Sequence, residues 1–311
     1  MDTQNPILSV VIVNWNGREP LRLCLQSLHR HENTAHMEII VSDNGSTDGS
    51  VAMLKEKFPA VRVIENGENL GFGAGNNRAI AVARGEYVLM LNPDMEFTEP
   101  GLEKLIAFMA ARPTAGLIGC YIENPDGSFM RQCRRGYPDP ITAFYKVSGL
   151  IRLFPRHPHI AKYFYGGQPT DAVLPVDAVS GSFMLARREA LKKSGNFCEE
   201  YFMYVEDVDL CQKIRAAGYE VLYAPLMRIR HHGGRCVAKM PRRSAFYHYH
   251  MTRSHLILYR KDGSLSPLVY WTIVLRYILA SLITGNRHLN AHLREFFAIR
   301  GGKVTEAMRR L

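Results

Sequence analysis

The sequence predicts an α/β fold built on a mainly parallel sheet, and three observations predict it. Apolar runs that read as buried strands start near residues 8, 37, 61 and 86. One amphipathic segment separates each from the next, which is the ~30-residue beat of strand–helix–strand units. Each run ends in a loop of small polar residues, so all four loops fall at one sheet edge, where backbone N–H groups and helix N-termini meet an anionic ligand. The fourth run, Tyr87 to Leu91, is apolar without interruption and stops at Asn92-Pro93-Asp94. Burial on both faces explains the run, and ligands of open α/β sheets lie beyond such carboxyl ends. Asp94 therefore stands at a ligand's position, the plainer alternative being an acid that caps the next turn.

Taken in order, Leu8 to Val13 is a strand that runs into the polar turn Asn14-Trp15-Asn16-Gly17. Pro20 suits the first turn of a helix with Leu21, Cys24, Leu25 and Leu28 on one face. Met37 to Val41 is the second strand, and the loop Ser42 to Ser50 behind it holds Asp43 and Asn44. Val61 to Ile64 is the third, followed by the glycine-rich stretch Asn69 to Asn77. A dinucleotide fingerprint is excluded there: Asn76 stands in place of the third glycine, and the motif should follow the first strand. Close approach of backbone to a ligand or to a neighbouring helix accounts for Gly71, Gly73 and Gly75.

After the fourth strand, Leu102, Leu105, Ile106 and Met109 predict a helix ended by Pro113, and Ala115 to Cys120 a strand. Residues 134 to 172 show no period and read as a mobile loop over the site. Ala178 to Arg188 reads as one strand with Gly181 and Ser182 near its start. Next, Asp207, Leu210, Cys211 and Ile214 lie at i, i+3, i+4 and i+7, so Asp207 heads an apolar helix face while Glu206 and Asp209 fall on the wetter side. Acids that merely complement the helix dipole are the alternative, one that fits Glu206 and Asp209 better than Asp207. A short strand Val221 to Ala224 follows, and Arg228 to Gly234 reads as a turn carrying His231 and His232.

Charge is unevenly spread. Residues 226–311 hold 16 Lys and Arg against 3 Asp and Glu, which exceeds the net +10 of the whole chain. Such a segment seeks an anionic partner. Pro267 to Ile283 is strongly apolar but is interrupted by Arg276, whereas a spanning helix needs ~20 apolar residues free of central charge. A helix lying in the membrane interface is the reading, with a core helix or a homodimer interface as alternatives. Six scattered cysteines without metal-ligand spacing, in a chain with no secretory signal, predict reduced thiols in the cytoplasm.

With these residues in view the chain resembles the family 2 inverting glycosyltransferases of the GT-A fold, and within them the bacterial rhamnosyltransferase-like group, over roughly residues 7 to 261. Val11 to Gly17, with Asn14 and Asn16, is similar to the family's opening nucleotide-contacting strand. Asp43 and Asn44 match its second loop, in which the resemblance implies an Asp43 contact to base or ribose. Gly71, Gly73 and Asn77 are similar to the glycine loop near the nucleotide and diphosphate. Asn92-Pro93-Asp94 takes the place of the metal-binding Asp-x-Asp motif, with Asn92 in place of the first acid. The resemblance implies Mg2+ or Mn2+ on Asp94, completed by His231, and Asp207 of the Glu206-Asp207 pair as catalytic base. Gly181 and Ser182 are the acceptor-side candidates. The Gln-x-x-Arg-Trp motif of processive members is absent, so single-sugar addition is expected.

The implied function is metal-dependent, inverting transfer of one sugar, with L-rhamnose from dTDP-L-rhamnose first in order. The implied acceptor is a polyprenyl-diphosphate-linked glycan in cell-surface polysaccharide synthesis, met at the inner face of the cytoplasmic membrane. Residues 1–240 would form the glycosyltransferase domain (1–113 nucleotide-binding, 114–240 acceptor and catalytic), and 241–311 a basic helical region. A sugar-phosphate nucleotidyltransferase is one rival, but it would carry a glycine-rich, basic signature after the first strand where Asn14-Trp15-Asn16-Gly17 stands. A non-enzymatic basic membrane- or nucleic-acid-binding protein is the other. It leaves Asp43, Asp94 and Asp207 unexplained, and no nucleic-acid partner is expected.

Overall fold

In the computed structural model, which describes residues 6–233, 245–284 and 288–304, the chain opens with three strand–helix units. β1 (Leu8–Asn14) leads to α1 (Arg18–His31), β2 (Met37–Asp43) to α2 (Ser50–Lys57) and β3 (Arg62–Glu65) to α3 (Phe72–Ile80), ahead of β4 (Tyr87–Leu91). Gly234 and the Pro241 to Arg243 part of the basic segment lie outside the described residues, as does the expected boundary at residue 240.

The apolar runs form strands because both sheet faces are covered: Val10, Val11, Ile12, Val88, Leu89 and Met90 are wholly buried. Cutting Leu89 to Ala would cost about 2–5 kcal/mol. β1 runs parallel to both β2 and β4, with Asn14 opposite Asp43 and Ile12 opposite Leu91. The order β3-β2-β1-β4 thus reverses its direction of travel at β1. Beyond the carboxyl ends of β1 and β4 lies the topological switch point, where such sheets take their ligands. α3 lies close over β1, since a Cβ on Gly75 would stand 2.9 Å from Val13 Cγ1.

The chain continues through β5 (Met95–Phe97), α4 (Leu102–Ala110), β6 (Ala115–Glu123), β7 (Arg134–Arg135), α5 (Pro140–Val147), α6 (Leu150–Leu153), β8 (Leu174–Pro175), β9 (Ala178–Val179), β10 (Phe183–Arg187), α7 (Arg188–Ser194), α8 (Glu206–Ala216) and β11 (Glu220–His231). The sheet extends as β4-β10-β6-β11-β5, with β8 on β11, while β7 and β9 form a separate ribbon. Glu32, just past α1, accepts the N–H groups of Gly101 and Leu102 at 2.7 and 3.1 Å and so caps α4 from across the fold. β10 is antiparallel to β4, which brings its amino end to the carboxyl edge of the parallel strands.

Three expectations are corrected. The single strand Ala178 to Arg188 is two, because Ser180-Gly181-Ser182 turns, with the Phe183 N–H donating to the Ser180 carbonyl at 3.1 Å. The Arg228 to His231 stretch is not a turn but the second half of β11. Its ladder to β6 breaks between Tyr223 and Arg228, around Pro225, and resumes, while Ile229 to His231 pair with β5. Residues 134 to 172 are not structureless, since they hold β7, α5 and α6.

Three helices close the chain: α9 (Ala245–Lys261), α10 (Pro267–Thr284) and α11 (Leu289–Arg300). Tyr249, Leu256, Tyr277 and Phe296 join the same apolar core as the sheet. On α10, Tyr270, Val274 and Tyr277 face inward, while Leu268, Trp271, Leu275, Leu279, Leu282 and Ile283 form an exposed apolar stripe. No described helix is long and apolar enough to cross a membrane.

Candidate active site

The loops after β1 and β2 are laced together at the switch point. Asn14 Nδ2 donates to Asp43 Oδ2 at 2.9 Å and to Ser46 Oγ at 3.1 Å, and Asp43 Oδ1 accepts the Ser46 N–H at 2.8 Å. Asn16 Oδ1 takes the Thr47 N–H at 2.8 Å. The buried Asn14 Oδ1 has no protein partner among the described residues.

Other candidates of the nucleotide side are occupied within the protein. Asn44 donates to Asn69 Oδ1 and the Gly71 carbonyl at 3.2 and 3.0 Å and accepts from Asn66 at 2.9 Å, so it ties loops together. Gly71 sits at φ +85°, and a Cβ there would meet the Phe202 carbonyl oxygen at 2.2 Å. Gly73 packs on Phe197, and the Asn77 amide exchanges hydrogen bonds with the Phe197 backbone at 2.9 and 3.1 Å. The glycine stretch therefore abuts residues 197 to 202, the segment that leads to the acid pair.

Asp94 lies in the β4–β5 turn, nearly buried. Its Oδ1 is 3.1 Å from His231 Nε2, and its carbonyl accepts the His232 N–H at 3.0 Å. Antiparallel pairing of β11 with β5, which sets His231 opposite Met95, produces this meeting. Among the described residues no group of three or more His, Cys, Asp or Glu is placed to hold a metal ion. One carboxylate and one imidazole would suit a divalent ion that takes its remaining ligands from phosphate and water.

The second acid cluster starts α8. Tyr204 and Val205 precede it at φ 69° and 72°, a left-handed pair that is strained for a β-branched residue. Asp207 Oδ2 accepts the Gly181 N–H at 2.9 Å and pairs with the Arg135 guanidinium, and Oδ1 accepts the Val208 N–H at 2.8 Å. Three donors around one carboxyl hold its rotamer. Glu206 is equally buried, with Oε2 unpartnered among the described residues. Burial, and then the Asp207 carboxylate beside it, push Glu206 up to about 8. Asp209 is buried as well and accepts from Lys261 at 2.6 Å and Tyr201 at 3.2 Å. The wetter side assigned to Glu206 and Asp209 is thus corrected: α9 covers Asp209, and the whole first turn is inside.

Gly181 and Ser182 join the two clusters. Ser182 accepts the Asn92 N–H at 3.0 Å on its carbonyl, and the neighbouring Gly181 N–H goes to Asp207. Arg135 is the residue that sequence reasoning missed. Its signal is the Arg134-Arg135 pair itself, because adjacent strand residues point to opposite faces. Arg134 turns into the core, donating to the Pro169 and Gln168 carbonyls at 2.6 and 2.9 Å and lying 4.9 Å over the Tyr223 ring, and Arg135 turns to Asp207.

Residues 9–195 match the sequence model of a family described as glycosyl transferase family 2. The chain is 30% identical over 296 residues to N-acetylglucosaminyl-diphospho-decaprenol L-rhamnosyltransferase of Mycobacterium tuberculosis (strain H37Rv), covering 91% of this chain and 92% of that one. It is 28% identical over 236 residues to rhamnosyltransferase WbbL of Escherichia coli (strain K12), covering 72% and 82%. Among solved structures, the mannosyltransferase PcManGT from Pyrobaculum calidifontis, in complex with GDP-Man and Mn2+, superposes with a TM-score of 0.55 at 19% identity, over 98% of this chain and 77% of that one. S. aureus TarS 1-349 gives 0.53 at 15% identity, over 96% and 88%. These structural likenesses establish the fold.

Proposed function

The chain belongs to glycosyl transferase family 2 and is a glycosyltransferase of GT-A fold, and from that premise we propose that it transfers a single sugar from a nucleoside diphosphate donor with inversion. The reading is carried by one observation: Asn92–Ser182 and Gly181–Asp207 hydrogen bonds place the Asp94–His231 pair and the buried acid turn along one stretch of sheet edge. The rhamnosyltransferase relatives support L-rhamnose from dTDP-L-rhamnose as donor, and the name of the M. tuberculosis relative supports a polyprenyl-diphosphate-linked acceptor.

In this mechanism Asp94 and His231 would hold a Mg2+ or Mn2+, which when bound would offset the charge of the leaving diphosphate. Asn14 and Asp43 border the nucleotide. Asp207 takes the proton of the acceptor hydroxyl as its oxygen attacks the anomeric carbon, and the bond to the diphosphate breaks on the opposite face. Arg135 and the Gly181 N–H aim the Asp207 oxygens during attack. No covalent enzyme intermediate is needed in a single displacement. Glu206 is the second candidate for the base, favoured by its free Oε2 and its raised proton affinity.

The α10 stripe and the basic C-terminal region support peripheral contact with the inner face of the cytoplasmic membrane, where a lipid-linked acceptor is met. A homodimer through the same stripe is the alternative. The test of the donor is a nucleotide-sugar screen by thermal shift with Mn2+. A donor at 100 times its dissociation constant stabilises by about 2.7 kcal/mol. Stabilisation by purine sugars alone removes the rhamnose reading.

A further inference from the structure

We propose that α9 is part of the active-site apparatus, in which Arg253 and Ser254 act as positioning residues that hold the left-handed turn in front of Glu206 and Asp207. The proposal rests on the role given above to that acid pair. Residues 200 to 204 are gripped along their length by one side of α9. Arg253 donates to the Glu200 carbonyl at 2.5 Å, and Ser254 Oγ to the Met203 carbonyl at 2.9 Å. His250 stacks on Phe202 with ring centroids 4.8 Å apart, and Tyr247 meets Tyr204 edge-on at 5.3 Å. Spacings of three to four residues put these four side chains on one helix face.

Two features make this more than ordinary packing. The turn ends in Tyr204 and Val205 at positive φ, a conformation that persists only where the surroundings over-determine it. Arg253, 1% exposed, is an expensive anchor. Its Nε is paired with Glu295 of α11 at 2.8 Å, and Glu295 also accepts from the Tyr249 hydroxyl. The guanidinium is thereby held from behind while its other end holds the turn. Among the described residues, the charged groups that act on Glu206 are Asp207 and Asp209 of its own helix and Arg135 of β7. If the turn loosens, water reaches Glu206 and its proton affinity falls.

The experiment compares wild type with Ser254→Ala and Arg253→Lys, both in the full chain. Expected is a kcat lowered by about 10²-fold, with donor KM held within about twofold, the signature of lost transition-state alignment. In parallel, carboxyl NMR of isotope-labelled protein should show the Glu206 titration midpoint moved toward the ordinary carboxylate range in Ser254→Ala. Unchanged kcat and an unchanged Glu206 midpoint in the folded variants overturn the positioning role. A loss of kcat that tracks only the loss of folded protein overturns it too. If wild type transfers no nucleotide sugar at all, the functional reading fails, and the NMR midpoint still decides whether α9 sets the turn.

Discussion

Asp94 and His231, 137 residues apart in the chain, face each other at 3.1 Å across the β5–β11 pairing. Asp94→Ala is accordingly expected to abolish transfer while the melting temperature stays near that of wild type. Excess EDTA should do the same to the unaltered enzyme, and Mn2+ should restore it. Full turnover in EDTA rules out the metal at this pair.

The two buried acids separate by chemistry. Asp207→Asn should cost about 10²–10⁴-fold in kcat with donor binding kept. Glu206→Gln should cost much less, because it keeps a neutral group where a proton already resides. The opposite ranking in single-turnover measurements would transfer the role of base to Glu206.

Glu206 also makes stability depend on pH, with a sign that can be worked out. Its folded value, about 8, lies above the ordinary 4.5, so the folded chain holds the proton more tightly than the unfolded one. The contribution is fully present below 4.5 and is lost as pH rises toward 8. Glu206→Gln keeps its neutral group throughout. Denaturant titrations should therefore show wild type losing stability relative to the variant between these values. Parallel curves would mean that Glu206 is already ionised in the fold.

Membrane contact through α10 predicts cosedimentation with anionic vesicles. Release by salt should come more readily in Trp271→Ser or Leu275→Ser, whose parent side chains are 49% and 56% exposed. Each basic residue near such a surface contributes about 1 kcal/mol. Tyr270 is wholly buried, so its replacement tests packing and not lipid. Binding indifferent to lipid charge, with a dimer lost in the same variants, would make the stripe a subunit interface.

Much of this was legible in the sequence. Val10 to Ile12 and Val88 to Met90 announced buried strands because no polar residue interrupts them, and Asp207 headed an apolar face that is indeed inside. β5 and β7 were not legible, since three and two residues are too few for a period to show. The basic segment from residue 226 onward reads as one that seeks an anionic partner. In the fold Arg253, His250 and Tyr249 are buried, and Arg253 donates to the Glu200 carbonyl and pairs with Glu295, 42 residues further on. Sequence periodicity carries no information about a partner so distant. The acid turn was misjudged for the same reason, because what covers Asp209 is Lys261 of another helix.

The turn Ser180-Gly181-Ser182 has a further consequence for how the chain can change over time. A single inserted or deleted residue there would displace the Gly181 N–H from Asp207 and at the same stroke carry the Ser182 carbonyl off Asn92, because one short turn sets the position of both groups. Length variation among descendants of this protein should therefore be purged between residues 178 and 187. It should instead collect in the Asn124 to Gly127 turn, whose Gly127 has nothing within 4 Å of where a side chain would begin.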